Sequence, residues 1–104
     1  RHEICCTLED IISESAKLLK FNGKFYMVHR PERLTDIISG LRLNKLEPKK
    51  IRFVYPKKDK EANILLIEAT KNGKNGLKIM SPFYTHSDDG SYTDEVKKMF
   101  GDDY

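Results

Sequence analysis

His29, Arg30 and Arg33 are the residues whose types and spacing best suit chemistry. They stand in the run His29-Arg30-Pro31-Glu32-Arg33, directly after the apolar stretch Phe25-Tyr26-Met27-Val28. Pro31 suits the first position of a helix. Two guanidinium groups and an imidazole beside a helix start can hold a phosphate or a carboxylate, through charge-assisted hydrogen bonds and the unpaired N–H groups of the first turn. In open α/β sheets, ligands gather outside the carboxyl ends of strands, and this corner is such a place. A structural reading stands beside the functional one. Arg33 can pair with Glu32 or Asp36 on the surface, which contributes little, while His29 closes the strand.

Other chemistries find less support. The chain has neither a GxGxxG run nor a phosphate-binding P-loop. His2, His29 and His86 lie in three unrelated contexts, so no Ser/His/Asp arrangement forms. Asp88-Asp89 and Asp102-Asp103 read as a solvated loop and tail, and no metal-ligand spacing is present. Cys5 and Cys6 are adjacent, without CxxC spacing, and read as partly buried thiols in a reducing cytoplasm. The chain does not read as a complete enzyme.

Charge is unevenly spread along the 104 residues. Residues 42–86 hold eleven Lys or Arg against four Asp or Glu, while residues 87–104 hold two against six. A basic middle attracts polyanions, of which nucleic acid is the commonest large one, although lysine-rich surfaces also serve solubility. Lys57, Lys58 and Lys60 have both readings: RNA contact, or protection of a hairpin edge. Tyr55, Phe83, Tyr84 and Tyr92 could offer stacking faces to bases, whereas Tyr26 and Phe53 read as core. The length fits one domain or a piece of one, and the start at Arg1 suggests a fragment. No apolar run approaches the roughly 18 residues of a membrane span, so the chain is read as soluble and cytoplasmic.

The elements that position these residues follow in order. Thr7 to Lys20 is an amphipathic helix with Leu8, Ile11, Ile12, Ser15 and Leu19 on its inner face, capped by Thr7 and Asp10 and stopped by Asn22-Gly23. Phe25 to His29 shows no alternation, which suits a strand covered on both faces. A second helix runs from Pro31 or Glu32 to about Leu43 with Leu34, Ile37, Ile38 and Leu41 inward. Gly40 within it marks a close backbone contact. Asn44 ends the helix and Pro48 prevents its continuation. The strand Ile51–Tyr55 completes a βαβ-like unit. A short polar link then joins it to Ala62–Ala69 as an antiparallel hairpin. Leu77–Ile79 and Ser81–Tyr84 are short extended pieces. Thr93 caps a final helix with Val96 and Phe100 inward and Gly101 at its end. The fold class is α/β.

Several runs, in this order, resemble one family: Arg1-His2-Glu3-Ile4, Gly23-Lys24-Phe25, Val28-His29-Arg30-Pro31-Glu32-Arg33-Leu34, Glu61-Ala62-Asn63-Ile64-Leu65, Gly76-Leu77-Lys78-Ile79 with Pro82-Phe83-Tyr84, and Tyr92-Thr93-Asp94-Glu95-Val96. They are similar to the C-terminal part of bacterial adenine N-6 methyltransferases that modify a valine tRNA. These belong to the class I, S-adenosylmethionine-dependent "methyltransferase small domain" group. The resemblance spans nearly all of the chain and is most specific at His29–Arg33.

The resemblance implies the C-terminal half of a Rossmann-like sheet: helix, strand, helix, antiparallel hairpin and short terminal helix. Its last strand inserts beside Phe25–His29. The family's glycine-rich cofactor loop, acidic ribose-binding residue and Asn-Pro-Pro-aromatic motif are absent, so residues 1–104 are expected to need the N-terminal half for cofactor and activity. Arg1, His2, Glu3, His29, Arg30 and Arg33 become substrate-side candidates, none of them catalytic. Lys49, Lys50, Arg52, Lys57, Lys58 and Lys60 become contacts to the tRNA backbone. The alternative is a free-standing RNA-binding or interaction module without catalysis. A sheet cut in two exposes an edge, and self-association through it is expected.

Overall fold

A computed structural model of the chain describes residues 7–100. The elements are α1 (Leu8–Leu18), β1 (Lys24–His29), a single 3-10 turn (Pro31–Arg33), α2 (Leu34–Leu43), β2 (Leu46–Tyr55), β3 (Ile64–Lys71), β4 (Lys78–Ile79), β5 (Phe83–Tyr84) and α3 (Asp94–Phe100).

α1 starts as its sequence dictates. The Thr7 hydroxyl accepts the Asp10 N–H at 3.0 Å, and the Asp10 carboxylate accepts the Thr7 N–H at 3.3 Å, a reciprocal capping box. The helix stops at Leu18, two residues short of the expected Lys20. Its buried face is Leu8, Ile12 and Ala16. Ile11, expected inward, is 45% exposed, since no described element covers its side of the helix. The carbonyl of Ala16, near the helix end, accepts the Lys71 ammonium at 2.6 Å, which places a cation at the negative end of the dipole. Asn22 then turns the chain with a φ of 66°.

The sheet order is β1-β3-β2-β4, with β5 also paired to β2. β3 runs antiparallel to both β1 and β2, so those two strands are parallel to each other with β3 between them. The expected insertion of the apolar strand beside Phe25–His29 is therefore present, from Lys24 opposite Thr70 to His29 opposite Leu65. β4 and β5 lie along the far side of β2, parallel to it.

β2 begins at Leu46, five residues before the expected Ile51. Pro48 lies buried inside the strand. The register shifts between Pro48 and Lys50, and such an irregularity is where a residue lacking an N–H fits. The chain enters β2 through Lys45, at a φ of 62°, after Asn44 closes α2 by donating its side-chain amide to the Gly40 carbonyl at 2.8 Å.

α1 and α2 cover one face of the sheet. Ile12, Ile37, Leu41, Leu46, Ile51 and Leu65 are fully buried there, with Phe25, Ile67 and Ala69 in the same core and Met27, Leu34, Ile38 and Phe53 packed against it. On the other face a smaller cluster joins Val54, Phe83 and Val96, with Leu66 against it. That second cover does not reach β1. Tyr26 and Val28 are each 67% exposed, so β1 is covered on one face only and Tyr26 is not a core residue. The expectation of double cover fails because, among the described residues, the Val54, Phe83 and Val96 cluster does not extend over β1.

At the C-terminal end, the Thr93 hydroxyl donates to the Tyr84 carbonyl at 2.6 Å and accepts the Val96 N–H at 3.4 Å. This anchors α3 to β5. Gly101 lies outside the described residues.

Candidate functional site

The strand-to-helix corner is built by β1 and the turn that follows it. β1 delivers His29 to its carboxyl end. The Arg30 N–H donates to His29 Nδ1 at 2.8 Å, so the neutral imidazole carries its proton on Nε2, where it can donate to a ligand. Pro31 opens the 3-10 turn that carries Arg33. Arg33 Nε donates to the Asp36 carboxylate at 2.9 Å, with Arg33 partly buried and Asp36 exposed. The surface pairing of Arg33 with Asp36 is thus present, and it leaves the terminal guanidinium nitrogens for another acceptor.

His29 and Arg33 share a groove of about 840 Å³ between α1 and the outer edge of β1. Thr7, Glu9, Ile11 and Ser15 line its helical side. Arg30 is exposed and does not line it. Arg1, His2 and Glu3 lie outside the described residues, as do Cys5 and Cys6.

The six candidates for RNA backbone contact divide into three places. Lys49 is half-buried and donates to the Lys74 carbonyl at 2.7 Å. Lys50 and Arg52 lie on the open face of the sheet. There they border a trough of about 370 Å³ with Tyr26, Val28, Leu66 and Glu68. Lys57, Lys58 and Lys60 form the β2–β3 loop, closed by the Lys60 N–H donating to the Lys57 carbonyl at 3.2 Å. Lys58 also lines a separate hollow of about 310 Å³ with Tyr84, His86, Asp88 and Glu95. The carboxylates in that hollow offset the lysine charge. The Lys50–Arg52 trough holds a carboxylate too, that of Glu68, which approaches Lys24 at 3.8 Å.

Sequence reasoning missed the exposed Tyr26 beside that trough. It also missed the Thr85–His86–Tyr92 group, in which the Thr85 hydroxyl meets His86 Nδ1 at 2.9 Å and the His86 and Tyr92 rings stand 4.9 Å apart. Nearby, the Ser91 backbone N–H and hydroxyl both donate to Asp89, holding its carboxyl below the usual carboxylate range. Among the described residues no three His, Cys, Asp or Glu side chains stand together as a metal site, and no helix is long and apolar enough to cross a membrane.

No family model matches the sequence, and no curated protein matches it. The fold does find a solved counterpart. A crystal structure of a predicted O-methyltransferase from Agrobacterium tumefaciens superposes with a TM-score of 0.81 at 20% identity, over 88% of this chain and 44% of that one. The chain has a methyltransferase-like fold. It spans less than half the length of the protein it matches.

S-adenosylmethionine, the methyl donor such folds suggest, finds no adequate seat here. The chain has no glycine-rich turn to approach its amino-acid moiety, and the groove offers Glu9 as its single carboxylate against His29 and Arg33. The described residues do not form its binding site.

Proposed function

We propose that this chain is the C-terminal half of an S-adenosylmethionine-dependent methyltransferase acting on the exocyclic amine of an adenine in tRNA. Its part is to supply substrate-side surface. The observation that carries the reading is the strand arrangement: an antiparallel β3 inserted between parallel β1 and β2, superposing on less than half of a larger methyltransferase-like chain. The sequence resemblance at His29–Arg33 supports the narrower assignment to tRNA adenine.

In this reading His29 and Arg33 orient the substrate. The Nε2–H of His29 donates a hydrogen bond, and the free guanidinium nitrogens of Arg33 hold a phosphate. Arg30, on the outer side of the same corner, adds positive charge. Lys50 and Arg52 attract the RNA backbone. None of these groups moves the methyl group. The cofactor and the residues that position the amine belong to the N-terminal half.

Calorimetric titration with S-adenosylmethionine tests this division. The 104-residue chain alone is expected to show no binding, and the chain joined to its N-terminal half is expected to bind. Binding of equal strength by the chain alone would overturn the reading.

A further inference from the structure

We infer that Asn75-Gly76 is a self-modifying site, at which asparagine is converted through a cyclic imide into aspartate and isoaspartate, with Arg42 activating the amide. The chain holds three Asn-Gly pairs, at residues 22–23, 72–73 and 75–76. In each the attacking nitrogen belongs to a residue without a side chain, so the three are alike in local chemistry. The fold separates them. The Gly23 N–H donates to the Lys20 carbonyl at 2.8 Å, and the Gly73 N–H donates to the Thr70 carbonyl at 3.1 Å. Asn22 and Asn72 are themselves set in left-handed turns, at φ of 66° and 56°. Those two glycine nitrogens must leave a turn before either can attack. The Gly76 N–H has no backbone acceptor among the described residues, and Asn75 and Gly76 are both exposed.

Two cations converge on this peptide. Arg42 Nη2 donates to Asn75 Oδ1 at 3.4 Å, and its Nε faces Glu47 at 3.4 Å, which holds the guanidinium in place. The Lys49 ammonium, fixed on the Lys74 carbonyl at 2.7 Å, lies 3.6 Å from where a Cβ on Gly76 would stand. Attack on an amide places negative charge on its oxygen, and a donor already aimed at that oxygen stabilises the charge. A neighbouring cation also favours loss of the Gly76 amide proton, which must go before the nitrogen can attack. The Gly76 nitrogen then bonds to Asn75 Cγ, the Cγ–Nδ2 bond breaks, and ammonia leaves with the proton that the nitrogen gave up. Water opens the resulting five-membered ring. Addition at the side-chain carbonyl yields aspartate. Addition at the main-chain carbonyl yields isoaspartate, whose backbone runs through the former side chain. Either product leaves a new carboxylate in the β3–β4 loop. None of this depends on the methyltransferase reading, so either can fail alone.

Peptide mapping by mass spectrometry, after incubation of the 104-residue chain in mildly alkaline buffer, tests it. Asn75 is expected to convert to both products. Asn22 and Asn72 are expected to react about tenfold more slowly, the factor that one turn hydrogen bond of about 1.4 kcal/mol gives. In concentrated urea, where the turns are lost, the three positions are expected to react at one rate. Arg42→Ala is expected to slow conversion at Asn75 about threefold, a modest factor because the 3.4 Å contact is long and in solvent. Asn75 left intact in the folded chain, or all three positions reacting there at one rate, would overturn the inference. So would aspartate as the only product, which direct hydrolysis gives without a ring. An Arg42→Ala chain that converts as fast as the unsubstituted one would overturn it as well.

Discussion

A Cβ built on Gly40 would stand 3.1 Å from Cδ1 of Ile12, closer than ordinary van der Waals contact. Ile12 is fully buried and cannot swing aside, so this contact sets how near α2 lies to α1. Alanine at position 40 gains about 1 kcal/mol of helix propensity but crowds the core, at a cost of about 1–3 kcal/mol. Gly40→Ala is therefore expected to destabilise by about 1 kcal/mol in urea denaturation. Ile12→Val removes the Cδ1 atom itself. In the double variant the alanine should become stabilising, a coupling that a double-mutant cycle reads directly.

Lys71 reaches from the end of β3 to the Ala16 carbonyl, tying α1 to the central strand. Lys71→Met keeps most of the stem and removes the charged donor. The expected loss is about 1.5–3 kcal/mol, the range for hydrogen bonds to charged groups, with little change in the denaturant slope.

The sorting of basic residues gives a binding prediction. Lys50 and Arg52 face the open trough, whereas Lys49 is engaged with the Lys74 carbonyl. Filter binding to tRNA across a salt series should show Lys50→Ala and Arg52→Ala together lowering the slope of log affinity against log salt by about 1.4–1.8. Lys49→Ala should leave that slope unchanged. Equal effects from all three would mean that the trough is not the contact.

Asp89 gives a pH-dependent signature. Its carboxyl is held below the usual range by the two Ser91 hydrogen bonds, so the turn gains order from an ionised Asp89. That contribution is complete above the unfolded-state pKa and is lost as pH falls through the lower folded value. The Ser91 amide resonance is expected to titrate with a midpoint below that of an ordinary aspartate. Asp89→Asn should abolish the titration.

Much of this fold was legible because its determinants are local. The capping box at Thr7 and Asp10 and the stripe Leu34, Ile37, Ile38, Leu41 depend on residues a few positions apart. A glycine inside a helix pattern is itself the mark of a close contact, though its partner Ile12 lies in another helix. The short link between β2 and β3 dictated their hairpin. The exposure of Tyr26 and Val28 was not legible, because an apolar run without alternation cannot tell a strand inside a sheet from one that ends it. Pro48 misled for a related reason: proline ends helices, yet a bulge accommodates it within a strand. At the site, sequence adjacency grouped His29, Arg30 and Arg33. Of the three, the end of β1 and the 3-10 turn place His29 and Arg33 in the groove and leave Arg30 outside it. The lysines were grouped by proximity in sequence, and the pleat of β2 sends Lys49 and Lys50 to different partners.

The central claim is tested most directly by the chemistry of the product. The chain, joined to its N-terminal half, is incubated with unmodified tRNA and S-adenosylmethionine, and the digested nucleosides are analysed by mass spectrometry. The account predicts N6-methyladenosine, with a yield reduced by His29→Ala and Arg33→Ala and absent for the 104-residue chain alone. Methylation at a hydroxyl, or no transfer to adenine by the joined halves, would contradict it.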